Sequence, residues 1–261
     1  MHYTVRCSLV FLYKGNLRKR SISVFLSMVN ALDVKKALLS KKNPLKAVFL
    51  QRFFKTGKGE YAEGDVFYGI TVPESRSVAK KFRDLPFDQI PKLLHSKIHE
   101  ERLVGLYILI FHFKNSDEKN KKKIVDFYLT SSAWINNWDL VDASAYHILG
   151  EYLLDKDKKI LSRLAKSSDL WERRIAMVST YAFIKKGNVK PTFQLAKILL
   201  HDTHDLIHKA VGWMLREAGK RDRVPLEAFL EQYASRMPRT MLRYAIEKFS
   251  PVDRKRFLAK I

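Results

Sequence analysis

The segment SAWINNWDLVDASAYHILGEYLL, residues 132–154, decides how the rest of the chain is read. Asn136 followed three residues on by Asp139 is the arrangement in which a short polar side chain and an early carboxylate satisfy the free amides of a first helical turn. A helix is therefore expected to begin there. At roughly 100° per residue, Val141, Ala145, Ile148, Leu149 and Tyr152 fall on one apolar stripe, with Trp138 and Asp142, four apart, together on its flank. An indole and a carboxylate then share a ledge beside the core. The plain alternative is that Trp138 pads the core and Asp142 is a solvated surface carboxylate, as most helical acids are.

A second segment favours the ledge. In DLIHKAVGWMLREAGK, residues 205–220, the core stripe is Ile207, Ala210, Val211, Met214, Leu215 and Ala218, which leaves Trp213 off it among Lys209, Arg216 and Lys220. Rings interleaved with cations suit nucleic acid, whose phosphates take the charge and whose sugars or bases take the ring. In SSDLWERRIAMVSTYAF, residues 167–183, Ser168 or Asp169 can cap a helix whose core stripe is Trp171, Ile175, Val178 and Ala182, so Trp171 is structural. Arg173 then faces solvent, while Arg174 lies on the flank beside Met177 and Tyr181, where a guanidinium is held in a fixed orientation. Sheltered arginines are usually paired, and Asp142 is one available partner.

From Asp33 onward the apolar spacing is three and four, broken by short polar or Pro/Gly stretches. Helices are expected near 33–40, 43–55, 74–84, 87–95, 98–114, 118–132, 137–155, 157–167, 170–186, 191–201, 205–219, 225–235, 238–249 and 251–260. They pair into units of roughly 35 to 40 residues, the period of helix pairs stacked into a solenoid. The expected fold is all-α, a helical-repeat solenoid with one concave basic face, as a single domain over residues 28–261. The long break at 57–75, GKGEYAEGDVFYGITVPES, has four glycines, but a phosphate loop needs a strand before it and a helix directly after. It reads as an ordered surface loop.

Forty-nine Lys and Arg against 27 Asp and Glu give a net charge of +22, which attracts polyanions. Ribosomal and membrane-surface proteins are also this basic, so charge alone does not select DNA. The single Cys7 excludes an internal disulfide and any multi-cysteine metal site, which fits a reducing, intracellular location. The longest apolar run, LVGLYILIF at 103–111, is about half of a bilayer span and reads as a buried helix, with no membrane association. Residues 1–27 carry five basic residues and no acid and read as an N-terminal extension, with Met28 as the native start. His201, Asp202, His204, Asp205 and His208 resemble metal ligands, but Asp205 fits better as a helix cap and only His204 and His208 have suitable spacing, so no metal is expected. HEERL at His99 lacks the second histidine of a zinc-protease helix. No Ser/His/Asp or Cys/His nucleophile system is legible.

Five stretches, QRFFKTGKGEYAEGDVFYGITVPESR, NNWDLVD, LWERRIAM, HDLIHKAVGWMLREAGK and RTMLRYAIEKF, together give a chain that from about Leu32 onward resembles the AlkD-like DNA alkylation-repair glycosylases, a family with HEAT-like helical repeats. The resemblance implies a catalytic carboxylate at Asp142, substrate-cradling tryptophans at Trp138 and Trp213, and a sheltered site arginine at Arg174. It adds Arg216 as a DNA contact and an aromatic at Phe53, while Lys209, Lys220 and Arg173, on the basic or solvent faces read above, are further expected nucleic-acid-binding residues. Phe53 stands where the family has a tyrosine, so a hydroxyl is lost. The implied activity is hydrolysis of the N-glycosidic bond of cationic N3- or N7-alkylated purines in duplex DNA, without cofactor, by a monomer in the cytoplasm that associates with the nucleoid when bound. Some relatives are thought to bind branched DNA without glycosylase activity, so a non-catalytic, structure-specific DNA-binding protein is the alternative, and a protein–protein scaffold the third reading.

Overall fold

The three-and-four apolar spacing is realised as fourteen helices in the computed structural model, which describes residues 29–259. The expected start at Met28 and the reading of residues 1–27 lie outside the described residues. In chain order the helices are α1 (Ala31–Leu39), α2 (Pro44–Phe53), α3 (Val72–Lys81), α4 (Ile90–Leu94), α5 (His99–Lys114), α6 (Glu118–Thr130), α7 (Trp138–Ala145), α8 (Lys159–Leu164), α9 (Leu170–Lys185), α10 (Lys190–Ile198), α11 (Asp205–Arg221), α12 (Arg223–Tyr233), α13 (Arg239–Ala245) and α14 (Pro251–Leu258). Helix α7 runs directly into one wide π turn, Tyr146–Gly150, so the expected continuous helix over 137–155 is interrupted. The described residues contain no strand, only an isolated bridge between Val66 and Ile98.

The odd-numbered helices α1 to α13 form a row in which each packs on the next, while α4, α6, α8, α10 and α12 pack against members of that row. Helices α5, α7, α9, α11 and α13 begin at 99, 138, 170, 205 and 239, so each repeat is 32–39 residues long. The chain is an all-α helical-repeat solenoid. Such a unit cannot bury its apolar face alone, and stacking gives one continuous core, here running from Ala31 to Phe257. No described helix is long and apolar enough to cross a membrane.

Helix α5 is the most enclosed element, because its apolar run has neighbours on all sides and its first turn is buried too. His99, Glu100, Glu101 and Arg102 are each 1–2 % exposed. Buried charge is tolerated only when paired or hydrogen-bonded, and each of these side chains is tied to the loop that follows α2. The Glu100 carboxylate accepts backbone N–H bonds from Tyr68, Gly69 and Ile70 at 2.9, 2.8 and 3.0 Å. Gly69 has φ +83°, and a Cβ there would lie 2.1 Å from the Asn43 carbonyl, so only glycine fits. The glycine-bearing break is thus an ordered loop moulded onto α5, with a helix rather than a strand before it.

Two expected caps are displaced. Asn137, not Asn136, is the residue before α7, and its side chain makes no capping bond. Asn136 instead donates to Asp65 Oδ1 at 3.3 Å, and the Asp139 carboxylate meets His99 Nε2 at 2.8 Å, because the loop's buried charges compete successfully for both groups. Before α11 the cap is His204, whose Nδ1 accepts from the Leu206 N–H at 3.1 Å, while Asp205 pairs with Lys209 at 2.7 Å. Asp169 caps α9 as expected, accepting from Trp171 and Glu172.

Candidate nucleic-acid interface around Asp142

The sequence-selected residues stand on three successive members of the odd-numbered row: Trp138 and Asp142 on α7, Arg174 on α9, and Trp213 with Lys209 and Arg216 on α11. Arg174 reaches across to α7 with its fork. Nε donates to Asp142 Oδ1 at 2.9 Å and Nη2 to Oδ2 at 2.8 Å, while Nη1 donates to the Leu206 carbonyl of α11 at 2.5 Å. One guanidinium therefore pins three helices together. The Arg174 side chain is 5 % exposed, whereas 20 % of Asp142 still reaches solvent. Burial pushes the Asp142 carboxyl above the ordinary aspartate range, against the Arg174 charge and hydrogen bonds that favour ionisation, with Asp139 adding a smaller upward push.

Trp138 is half-buried and gripped on several sides. Phe54 stacks on it at 5.2 Å and 27°, Phe53 meets it edge-on at 6.1 Å, and its indole N–H donates to the Tyr61 hydroxyl at 3.2 Å. Behind Phe54 the stack continues through Phe67, at 5.1 Å, to His99, 4.4 Å beyond. Phe53 itself is 53 % exposed. These aromatic walls, with Phe49 and the polar groups of His99, Glu100 and Asp139, enclose a cleft of about 450 Å3 beside the ledge.

His99 and Asp139, which line that cleft, belong to a buried ion network. Arg102 Nη2 donates to Asp65 Oδ2 at 2.5 Å, and the His99 ring stands between Asp65 at 3.4 Å and Asp139 at 2.8 Å. Burial alone would lower the His99 pKa, but the charge and hydrogen bond of Asp139 and the hydrogen bond to Asp65 outweigh it and hold it at about 9. For Asp65 burial is likewise outweighed, by His99 and Arg102, and its carboxyl lies below the usual range. Asp139 is three residues before Asp142, so this network anchors the turn that carries the ledge.

Sequence reasoning missed Phe54, Tyr61, Phe67 and His99. The only signal was four polar residues directly before an unbroken apolar run, unusual enough to mark a helix buried from its first residue. Trp171 is structural as expected, 6 % exposed, with Tyr61 against it at 6.0 Å. Trp213 is half-buried, 6.2 Å from Tyr181.

The expected phosphate-binding cations are mostly engaged within the protein. Arg173 does not face solvent: its Nε donates to Asp202 at 2.7 Å and its Nη1 to the Ser167 and Ser168 carbonyls, because the turn before α11 folds back over it. Lys209 pairs with Asp205 at 2.7 Å, Lys220 with Glu217 at 2.8 Å, and Arg216 with Glu217 and Glu247. His208 donates to the Asp202 carbonyl at 2.5 Å. Among the described residues no group of three or more His, Cys, Asp or Glu is arranged to hold a metal ion.

A bidentate Asp–Arg pair open to solvent on one side, flanked by a gripped indole, can present fixed negative charge to a cation beside it. No curated protein matches the chain. A solved structure described as a predicted DNA alkylation repair enzyme from Enterococcus faecalis is similar, with TM-score 0.64 and 17 % identity over 81 % of this chain and 98 % of that one, a likeness that speaks for the fold. The family model described as DNA alkylation repair enzyme matches residues 34–249, most of the chain, and the protein belongs to the DNA alkylation repair enzyme family.

Proposed function

We propose that the protein is a DNA glycosylase that releases cationic N3- or N7-alkylated purines from duplex DNA, acting as an intracellular monomer without cofactor. The observation that supports this most is Asp142, held by Arg174 in one orientation yet still open to solvent beside Trp138. An alkylated purine already carries positive charge, so it leaves as a neutral base when the C1′–N bond breaks and takes the bonding pair with it. No general acid is needed. Positive charge develops on the sugar, where a preorganised carboxylate is worth most, and the ring faces of Trp138 and Trp213 favour the same charge through their quadrupoles. Water adds at C1′ and its proton passes to bulk solvent. Arg174 occupies only two of the roughly four acceptor positions of the Asp142 carboxylate, which leaves Asp142 able to orient that water. Arg216, Lys209 and Phe53 would contact the strand around the lesion, with Lys220 held back by Glu217. The test is incubation with duplex DNA carrying 7-methylguanine and scoring of free base; release above the spontaneous rate is expected.

A second reading has its own support. Both Asp142 oxygens are already bound by Arg174, as in a purely structural pair, and a non-catalytic protein recognising damaged or branched DNA through the same surface needs nothing more. It predicts tight binding to such DNA with no free base at any time.

A further inference from the structure

One turn beyond the Asp142–Arg174 pair lies a row of tyrosines that the excision chemistry does not use. Tyr146 is four residues from Asp142 and Tyr181 seven from Arg174, so helical periodicity puts both on the faces that carry the pair. The two rings meet edge-on at 5.2 Å, Tyr181 lies 6.2 Å from Trp213, and α5, which carries Tyr107, packs on the turn that carries Tyr146. All are half-buried, rooted in the core and open on one side.

Two cations sit on this row. The Lys185 ammonium lies over Tyr146 at 5.2 Å and Tyr181 at 5.5 Å. Arg76 lies over Tyr107 at 5.4 Å, donates from Nε to its hydroxyl at 3.2 Å, and its charge reaches the Tyr146 phenol. Both are exposed. Unlike Arg173, Lys209, Arg216 and Lys220, neither has a carboxylate within salt-bridge distance among the described residues. Glu151, on the turn after Tyr146, pairs instead with His147 at 3.6 Å. Burial holds Tyr107 and Tyr146 above the ordinary phenol range, so the rings stay neutral.

Unneutralised cations over half-buried rings are the two halves of a single-stranded nucleic-acid site: phosphates take the charge and an unstacked base takes the open side of the ring. We infer that Tyr146, Tyr181 and Trp213, with Lys185 and Arg76, form a subsite for an unpaired nucleotide of the DNA, its base against the tyrosine rings and its flanking phosphates at the two cations. The inference rests on the reading that this protein binds DNA, and it holds whether or not excision occurs.

The test uses the full chain and two duplexes of equal length at one ionic strength, one fully paired and one with a single unpaired 2-aminopurine. Wild type should bind the second roughly 10-fold tighter, about 1.4 kcal/mol, and quench its fluorescence. The double variant Tyr146→Leu with Tyr181→Leu should lose both the preference and the quenching while keeping its affinity for the paired duplex; the corresponding Phe double variant should retain them. Equal affinity of wild type for the two duplexes, which needs no variant to fold, overturns the subsite and leaves DNA binding standing. A preference that survives in the Leu variant overturns it too. Failure to bind either duplex removes the DNA reading itself.

Discussion

Asp142 and Arg174 meet through two hydrogen bonds in a sheltered position, so removing one partner leaves the other's charge in poor solvent. Breaking such a pair from one side costs about 3–5 kcal/mol, whereas replacing both partners is often close to neutral. Asp142→Asn should therefore lower excision by on the order of 10²-fold or more and also lower the melting temperature, because Arg174 keeps its charge. Adding Arg174→Met should recover much of the melting temperature and none of the excision. Single-turnover excision and thermal melting on the same preparations check this; unchanged excision by the Asn variant would remove Asp142 from the mechanism. The raised Asp142 pKa gives a pH prediction with a definite sign. On the proposed chemistry excision needs the ionised carboxylate, so the rate should fall with acid at a midpoint above the ordinary value of about 3.9. Chain periodicity put Asp142 and Trp138 on one flank, but that flank's partner, Arg174, is 32 residues away, and only the packing of α9 on α7 chose Asp142 among its possible acids.

Helices α5 and α7 and the loop after α2 are joined by the His99 network, and that joint titrates. Because the folded pKa of His99, about 9, is above the unfolded value of about 6.5, its contribution is fully present below pH 6.5 and is lost as pH rises through 9. The amount is on the order of 3 kcal/mol. Melting temperature should fall over that range, and His99→Gln should be less stable at neutral pH and flatten the profile; an equally steep wild-type and variant profile would show that another group is responsible. Gly150, at the end of the π turn, sets the approach of α7 to α9, since a Cβ there would lie 2.4 Å from the Ser179 carbonyl. Gly150→Ala should cost about 1–3 kcal/mol by overpacking and reduce excision by loosening the Asp142–Arg174 geometry, read by denaturant melts and turnover. The helices were legible from spacing, whereas the π turn and the displaced caps were not. Caps depend on which side chains a distant loop draws away, as Asp65 draws Asn136.

The net charge of +22 makes binding to a polyanion a property of the whole chain. With Z phosphates contacted, the log–log slope of affinity against salt should be about −0.9Z, with Z about 4 to 8, and internal pairing of Lys209, Lys220, Arg173 and Arg216 places the expectation near the lower end. Arg216→Ala should weaken binding about equally across sequences. Lys185→Gln should reduce the slope by about 1, while Lys220→Gln, already paired with Glu217, should change it little. Anisotropy titrations over a range of salt decide this, and a salt-independent affinity would point to a protein partner.

Helix number, repeat length and the off-stripe placement of Trp138, Asp142, Arg174 and Trp213 were determined by the sequence itself, because each follows from periodicity within about twenty consecutive residues. Which charges are free to meet a ligand was decided only by the tertiary structure. Arg173 and Arg76 look alike in sequence, yet one is bound by Asp202, 29 residues on, and the other lies exposed over Tyr107, 31 residues on. The grip of Phe54 and Tyr61 on Trp138 likewise spans more than seventy residues. Such pairings are set by the order in which repeats stack, and no local pattern of residues encodes the distance between one helix and the next.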